Sequence, residues 1–128
     1  RGIRVSLFVE PDVAQLDAAV AMGAPVVELH TGRYCDLLDA GEAEAAAVER
    51  ARLAAAARHG AAAGLEVHAG HGLTYANVAP IAAMPEIREL NIGHFLIGEA
   101  IFVGLEASVK EMRRLMEAAR VRVAEDAR

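Results

Sequence analysis

The sequence predicts a parallel α/β fold, and three observations carry the prediction. Four short apolar runs rich in Val, Leu and Ile alternate with longer segments of helical periodicity. A helix separates each strand from the next, which is the connection parallel neighbours need. The 55% apolar content includes only three Phe, two Tyr and no Trp, so aliphatic strands under alanine-faced helices must form the core.

In chain order, the first strand is predicted over Ile3 to Val9 and the first helix over Val13 to Met22. Asp12 is the N-cap, Gln15 its capping-box partner, and Gly23 the stop at C′. A second strand runs from Pro25 to His30. Thr31 to Gly41, rich in Gly and Asp, is expected to be a polar loop. The long alanine-rich helix from Glu42 to Ala63 ends at Gly64, and Leu65 to Ala69 is the third strand. Asn77 caps a short helix whose first turn accepts Pro80, because the missing N–H has no partner to lose there. Leu90 to Ile92 is a short fourth strand. An apolar helical segment follows over Phe95 to Val103, then an amphipathic helix from Leu105 to Val123 with Val109, Met112, Leu115 and Met116 on one side.

The 128 residues suit a single domain. Two architectures fit the order of elements: an open doubly wound sheet, or half of a (β/α)8 barrel, whose whole takes roughly 250 residues. The first is weakly supported, because GHGLTY lacks the third glycine of a dinucleotide fingerprint and Glu89 precedes its strand. A first strand starting within a few residues of Arg1, with no methionine before it, suggests a piece of a longer protein with no leader and little tail.

A net charge of −5 with no basic stripe argues against nucleic acid or an anionic membrane as partner. No apolar run approaches the ~20 residues that span a bilayer. The single cysteine, Cys35, forms no internal disulfide and suits a reducing cytoplasm.

In parallel α/β folds chemistry sits at the carboxyl ends of the strands. Glu10 and Pro11, then Glu28, His30, Thr31 and Gly32, then His68, Gly70, His71 and Gly72, and finally Asn91, Gly93 and His94 fall on that rim. Four of the five histidines are among them; His59 alone falls on a helix surface. Gly70 and Gly72 bracket His71, leaving main-chain N–H groups open to an anionic oxygen. Gly93 and His94 open a helix, whose free N–H groups and dipole end also favour an anion. One such glycine is an ordinary turn; two Gly-His junctions on successive strands point to a phosphate. Glu28 shares a strand face with His30 and would be costly to bury unpaired, so it either faces a reaction chamber or meets an arginine inside a barrel. His71 is suited to proton transfer near neutrality, against the plainer reading of a capping histidine. Zinc held by His30, His68, His71 and His94 ranks lower, since a glycine turn does not fix both rings of H-x-x-H on one face.

The stretches ELHTGRY, AGHGLTYANV, IAAMPEIRELNIGH and AIFVGLEASVKEMRRLM, in this order, closely resemble the C-terminal half of the pyridoxine 5′-phosphate synthase family, continuously from Gly2 to about Ala119. His68 departs from the asparagine of many relatives. The resemblance implies the C-terminal half of a TIM (β/α)8 barrel with a short extra phosphate-site helix, in a cytoplasmic transferase of vitamin B6 biosynthesis. It would condense 3-amino-2-oxopropyl phosphate with 1-deoxy-D-xylulose 5-phosphate, giving pyridoxine 5′-phosphate, phosphate and water, with no metal and no cofactor. By motif position His71 is the proton donor, Glu28 the stabiliser of the transition state, and Gly72, Gly93 and His94 the ligands of the aminoketone phosphate. The resemblance also implies that further catalytic groups lie in an N-terminal half, that the piece alone is inactive, and that phosphorylated small molecules are its partners. The full-length form is expected to be a homo-oligomer. The competing expectations are a non-catalytic phosphate-binding or self-assembling half-barrel module and a zinc hydrolase.

Overall fold

The computed structural model describes residues 2–126. Its elements are β1 (Ser6–Val9), α1 (Val13–Ala21), β2 (Val26–His30), α2 (Gly32–Asp39), α3 (Ala43–Ala62), β3 (Glu66–Gly70), α4 (Val78–Ala82), β4 (Ile87–Asn91), α5 (His94–Val103) and α6 (Leu105–Asp126). The four strands form one parallel sheet in the order β1-β2-β3-β4. A doubly wound sheet reverses its strand order at a switch point, and this one does not. Sequential order joined by the right-handed crossovers that parallel strands adopt as a rule places the helices on one face of the sheet, which is consistent with half a barrel.

Burial follows that asymmetry. On the helix side Val27, Leu29, Val67, Ala69 and Ile87 pack beneath Leu16, Ala19, Leu53, Ala57 and Ile81, all within one buried cluster. Residues of the opposite face, including Phe8, Glu89 and Asn91, are exposed, and Glu28 is half-buried. Period-2 alternation divides the two sets in β1 to β3, and in β4 the register shift beside Val67 puts Ile87 and Glu89 on opposite faces.

The caps of α1 explain its position. Asp12 Oδ1 accepts from the Ala14 N–H at 2.9 Å, and Gly23 stops the chain with φ of 74°. Gln15 does not close the expected box on Asp12; its Oε1 accepts from the Glu10 N–H at 3.2 Å.

Three predicted boundaries are corrected. β1 starts at Ser6 rather than Ile3, because no neighbouring strand reaches the exposed Ile3 and Val5. β4 covers Ile87–Asn91 rather than Leu90 to Ile92; a register shift between Val67 and His68 leaves Arg88 and Glu89 both exposed and hides the alternation. The expected loop over Thr31 to Gly41 is helix α2. Its polar residues face solvent, while Tyr34 and Cys35 are buried and the Tyr34 hydroxyl donates to the Asn77 carbonyl at 3.1 Å. Among the described residues no helix is long and apolar enough to cross a membrane.

Candidate active site

The turn after β3 is the most constrained piece of backbone at the rim. His71 has φ of 82° and Gly72 φ of 80°, and His71 is the one non-glycine residue with positive φ among those described. Such a conformation costs free energy in a residue with a Cβ and persists only when neighbours impose it. Thr31 imposes it here. This fully buried residue accepts no role in capping α2; its hydroxyl lies 2.7 Å from the Gly70 carbonyl and 2.6 Å from that of His71, and its own N–H donates to Gly70 at 2.8 Å. The turn is thereby tied to the end of β2, and the His71 ring stands exposed above the open face.

Glu28 lies lower on that face, in register with Phe8 of β1 and His68 of β3. Its Oε2 accepts from Asn91 Nδ2 at 2.7 Å. Gly70 makes room for it: a Cβ there would strike Glu28 Oε1 and come within 2.7 Å of the Asn91 carbonyl. The carboxylate is therefore neither under the helices nor paired with an arginine among the described residues, and it points into open space beside β4.

Gly93 is the N-cap of α5, with no side-chain cap, so the first N–H groups of this ten-residue helix are left free. They open into the same space. A cleft of about 720 Å³ is lined by Phe8, Glu28, Asn91 and Phe95 together with His71, Gly72, Gly93 and His94. All five residues singled out from the sequence thus border one cavity. Among its described lining residues, which also include Asp39 and Thr74, there is no Lys or Arg.

The remaining histidines separate. His30 packs beside His71 with ring centroids 4.8 Å apart. His68 is buried beside Glu28 on the same sheet face but outside the cleft lining, its Nε2 2.8 Å from Glu66 and its Nδ1 3.7 Å from Glu89. Arg4, hydrogen-bonded to Glu66, and then His68 hold the Glu66 carboxyl down at about 2. His59 clamps α3 to α1 through Asp17 at 2.7 Å, a surface role. Among the described residues no three His, Cys, Asp or Glu side chains converge in a group that could hold a metal ion.

Phe8 and Asp39 were not anticipated from the sequence, and Asn91 and Thr31 were placed on the rim but given no role. Phe8 and Asn91 share the face of Glu28 by strand parity and register, a signal that pairing of strands alone supplies. The position of Thr31 under the His71 turn has no counterpart in local sequence.

The chain is 65% identical over 118 residues to pyridoxine 5′-phosphate synthase of Rhodospirillum rubrum, covering 92% of this chain and 46% of that one. It is 62% identical over 119 residues to the protein of the same name from Jannaschia sp. (93% and 48%), and 61% identical over 123 residues to that of Caulobacter sp. strain K31 (96% and 49%). It spans about half the length of the curated relatives it matches. Residues 1–118 match the family model described as pyridoxal phosphate biosynthesis protein PdxJ, and the chain belongs to that family.

Proposed function

We propose that this chain provides the C-terminal half of a (β/α)8-barrel pyridoxine 5′-phosphate synthase, and that the cleft over β3 and β4 is half of its reaction chamber. The reaction joins 3-amino-2-oxopropyl phosphate to 1-deoxy-D-xylulose 5-phosphate and releases phosphate and water as the pyridine ring of pyridoxine 5′-phosphate closes. The observation that carries the reading is the gathering of His71, Glu28, Gly72, Gly93 and His94 around one cavity.

The amine must attack a ketone, a hydroxyl must leave as water, a phosphate must depart and a ring must close. Each step moves a proton at a defined atom. His71, exposed on its turn, is the donor to leaving oxygens. Glu28, held by Asn91, offers fixed negative charge to the cationic character that develops as the amine condenses. The free N–H groups at Gly93 and His94, with the backbone at Gly72, take the phosphate of the aminoketone.

A dianionic ligand beside Glu28 and Asp39 needs more positive charge than the lining described supplies. The missing cations fit a second half of the barrel, and for this reason the 128-residue chain by itself is proposed to be inactive. The test is a chimera in which this chain replaces the matching 118 residues of the Rhodospirillum rubrum relative. Product should form, and His71→Asn should abolish it while substrate binding survives. A chimera that folds and binds phosphate without turnover would favour a non-catalytic phosphate-binding module, and turnover by the isolated chain would refute the half-chamber.

A further inference from the structure

Beside the cleft, and not among its lining, a second imidazole is packed against His71. His30, the last residue of β2, has its ring 4.8 Å from that of His71 at an interplanar angle of 42°, and meets Phe8 edge-on at 5.0 Å. Bare backbone closes another side: a Cβ on Gly32 would come within 2.8 Å of His30 Cε1 and 3.0 Å of His71 Cδ2. The outer nitrogen is engaged too, with His30 Nδ1 3.2 Å from Glu10 Oε1. The other oxygen of Glu10 lies 3.9 Å from Arg52 Nη1, which is 2.9 Å from Glu49 Oε1. Glu49 is buried in α3 and reaches Arg33 Nε at 3.6 Å with its second oxygen. A row of alternating charges therefore runs from α3 to the rim and ends on the imidazole that touches His71.

His71 itself makes no such contact. Its ring is exposed, its only other aromatic neighbour among the described residues is Phe8 at 6.5 Å, and its hydrogen bonds are made by its backbone carbonyl. An imidazole free to turn about its side-chain torsions spreads over several rotamers, and only one of them aims a ring nitrogen at the reacting oxygen.

The geometry points to His30 as a positioning residue: it fixes the ring plane of His71, and Glu10, Arg52 and Glu49 fix His30. This rests on the proposed role of His71 as proton donor. A group that donates protons at several successive steps gains from being held by neighbours that are themselves held. Glu10 and Arg52 stay away from the cleft lining, so the network acts on His71 through His30 and not on a substrate.

The experiment uses the same chimera, with His30→Ala, His30→Phe, Glu10→Ala and Glu10→Gln. His30→Ala should lower kcat about tenfold or more with KM changed less than about twofold. His30→Phe, which keeps a flat ring, should recover part of the loss, and Glu10→Gln, which keeps an acceptor, should be milder than Glu10→Ala. NMR of the histidine side chains should give cross-relaxation between the His30 and His71 rings in the parent, weakened in Glu10→Ala while the melting temperature is unchanged. A rise in KM alone would make His30 a substrate ligand, and unchanged kcat with unchanged His71 resonances would make it structural; either overturns the inference. Turnover surviving in His71→Asn would instead sink the proton-donor reading, and the ring contact would still stand or fall by NMR.

Discussion

His71 combines two demands that pull against each other. Its ring must stand free in the cleft, and the turn that lifts it requires φ of 82°, where a Cβ is crowded. Replacing it with glycine in the chimera should therefore stabilise the fold by about 0.5–1 kcal/mol in urea titrations, while product formation is lost. A destabilised His71→Gly would mean that the turn is not strained. Thr31 keeps the conformation in place from beneath, which is why a buried hydroxyl outside the cleft belongs to the site. Glu66 illustrates a charge with a different task. With its carboxyl held at about 2 by Arg4 and His68, against an ordinary value of 4.5, its pairing contributes stability above pH 4.5. That contribution is lost as pH falls toward about 2, since the folded state then has to take up a proton it binds weakly. Glu66→Gln should flatten the decline in unfolding midpoint across this acid range, and an unchanged decline would exclude the pairing as its source. Cys35, by contrast, is silent: burial pushes its thiol up to about 11, so it stays protonated and unreactive at neutral pH.

Among the elements, α1 was legible from local chemistry at both ends, and α3 from its alanine-rich length and the glycine that stops it. Asp12 caps α1 through its own side chain, and Gly23 and Gly64 stop the two helices with positive φ. The last helix was legible from its apolar stripe, although it continues three residues past Val123. Helix α2 was hidden because its polar composition imitates a loop. It has neither a side-chain cap nor an acidic first turn, and it is held by the burial of Tyr34 and Cys35 against α3 and the β3 turn. Tertiary contact overrides weak local preference there. β4 was obscured for a related reason: as an edge strand it buries Ile87 and half-buries Leu90, and the irregular register beside Val67 breaks the alternation that marks a strand. Both misread segments reach the site, since α2 brings Asp39 and β4 brings Asn91 to the cleft; the five residues named from the sequence stayed legible because they sit at strand ends marked by glycine and histidine.

At the scale of the whole molecule, β1 and β4 are the two edges of the sheet, and among the described residues no layer covers its polar face. Helix α5 adds exposed Ile97, Ile101, Phe102 and Val103 beside Leu105, and an apolar groove of about 390 Å³ runs along β4 between Ile87, Leu90, Met116 and Val121. Unpaired strand edges and contiguous apolar surface promote association. The isolated chain should therefore scatter light as species larger than 13.5 kDa, and the chimera should remove the contribution of the sheet edges. A stable monomer of the isolated chain would show that the edges are protected as they stand.

The sequence by itself determined the parallel α/β class, the succession of strands and helices along the chain, the rim on which chemistry falls and the family, because these rest on periodicity, on capping and turn residues, and on motifs contiguous in the chain. Only the tertiary structure decided the order of strands in the sheet, that Glu28 meets Asn91, that Thr31 braces the His71 turn, and that His30 bears on His71 while His68 pairs with Glu66. Those relations join residues up to 63 positions apart, and strand register and backbone hydrogen bonds create them in three dimensions where no local pattern encodes them.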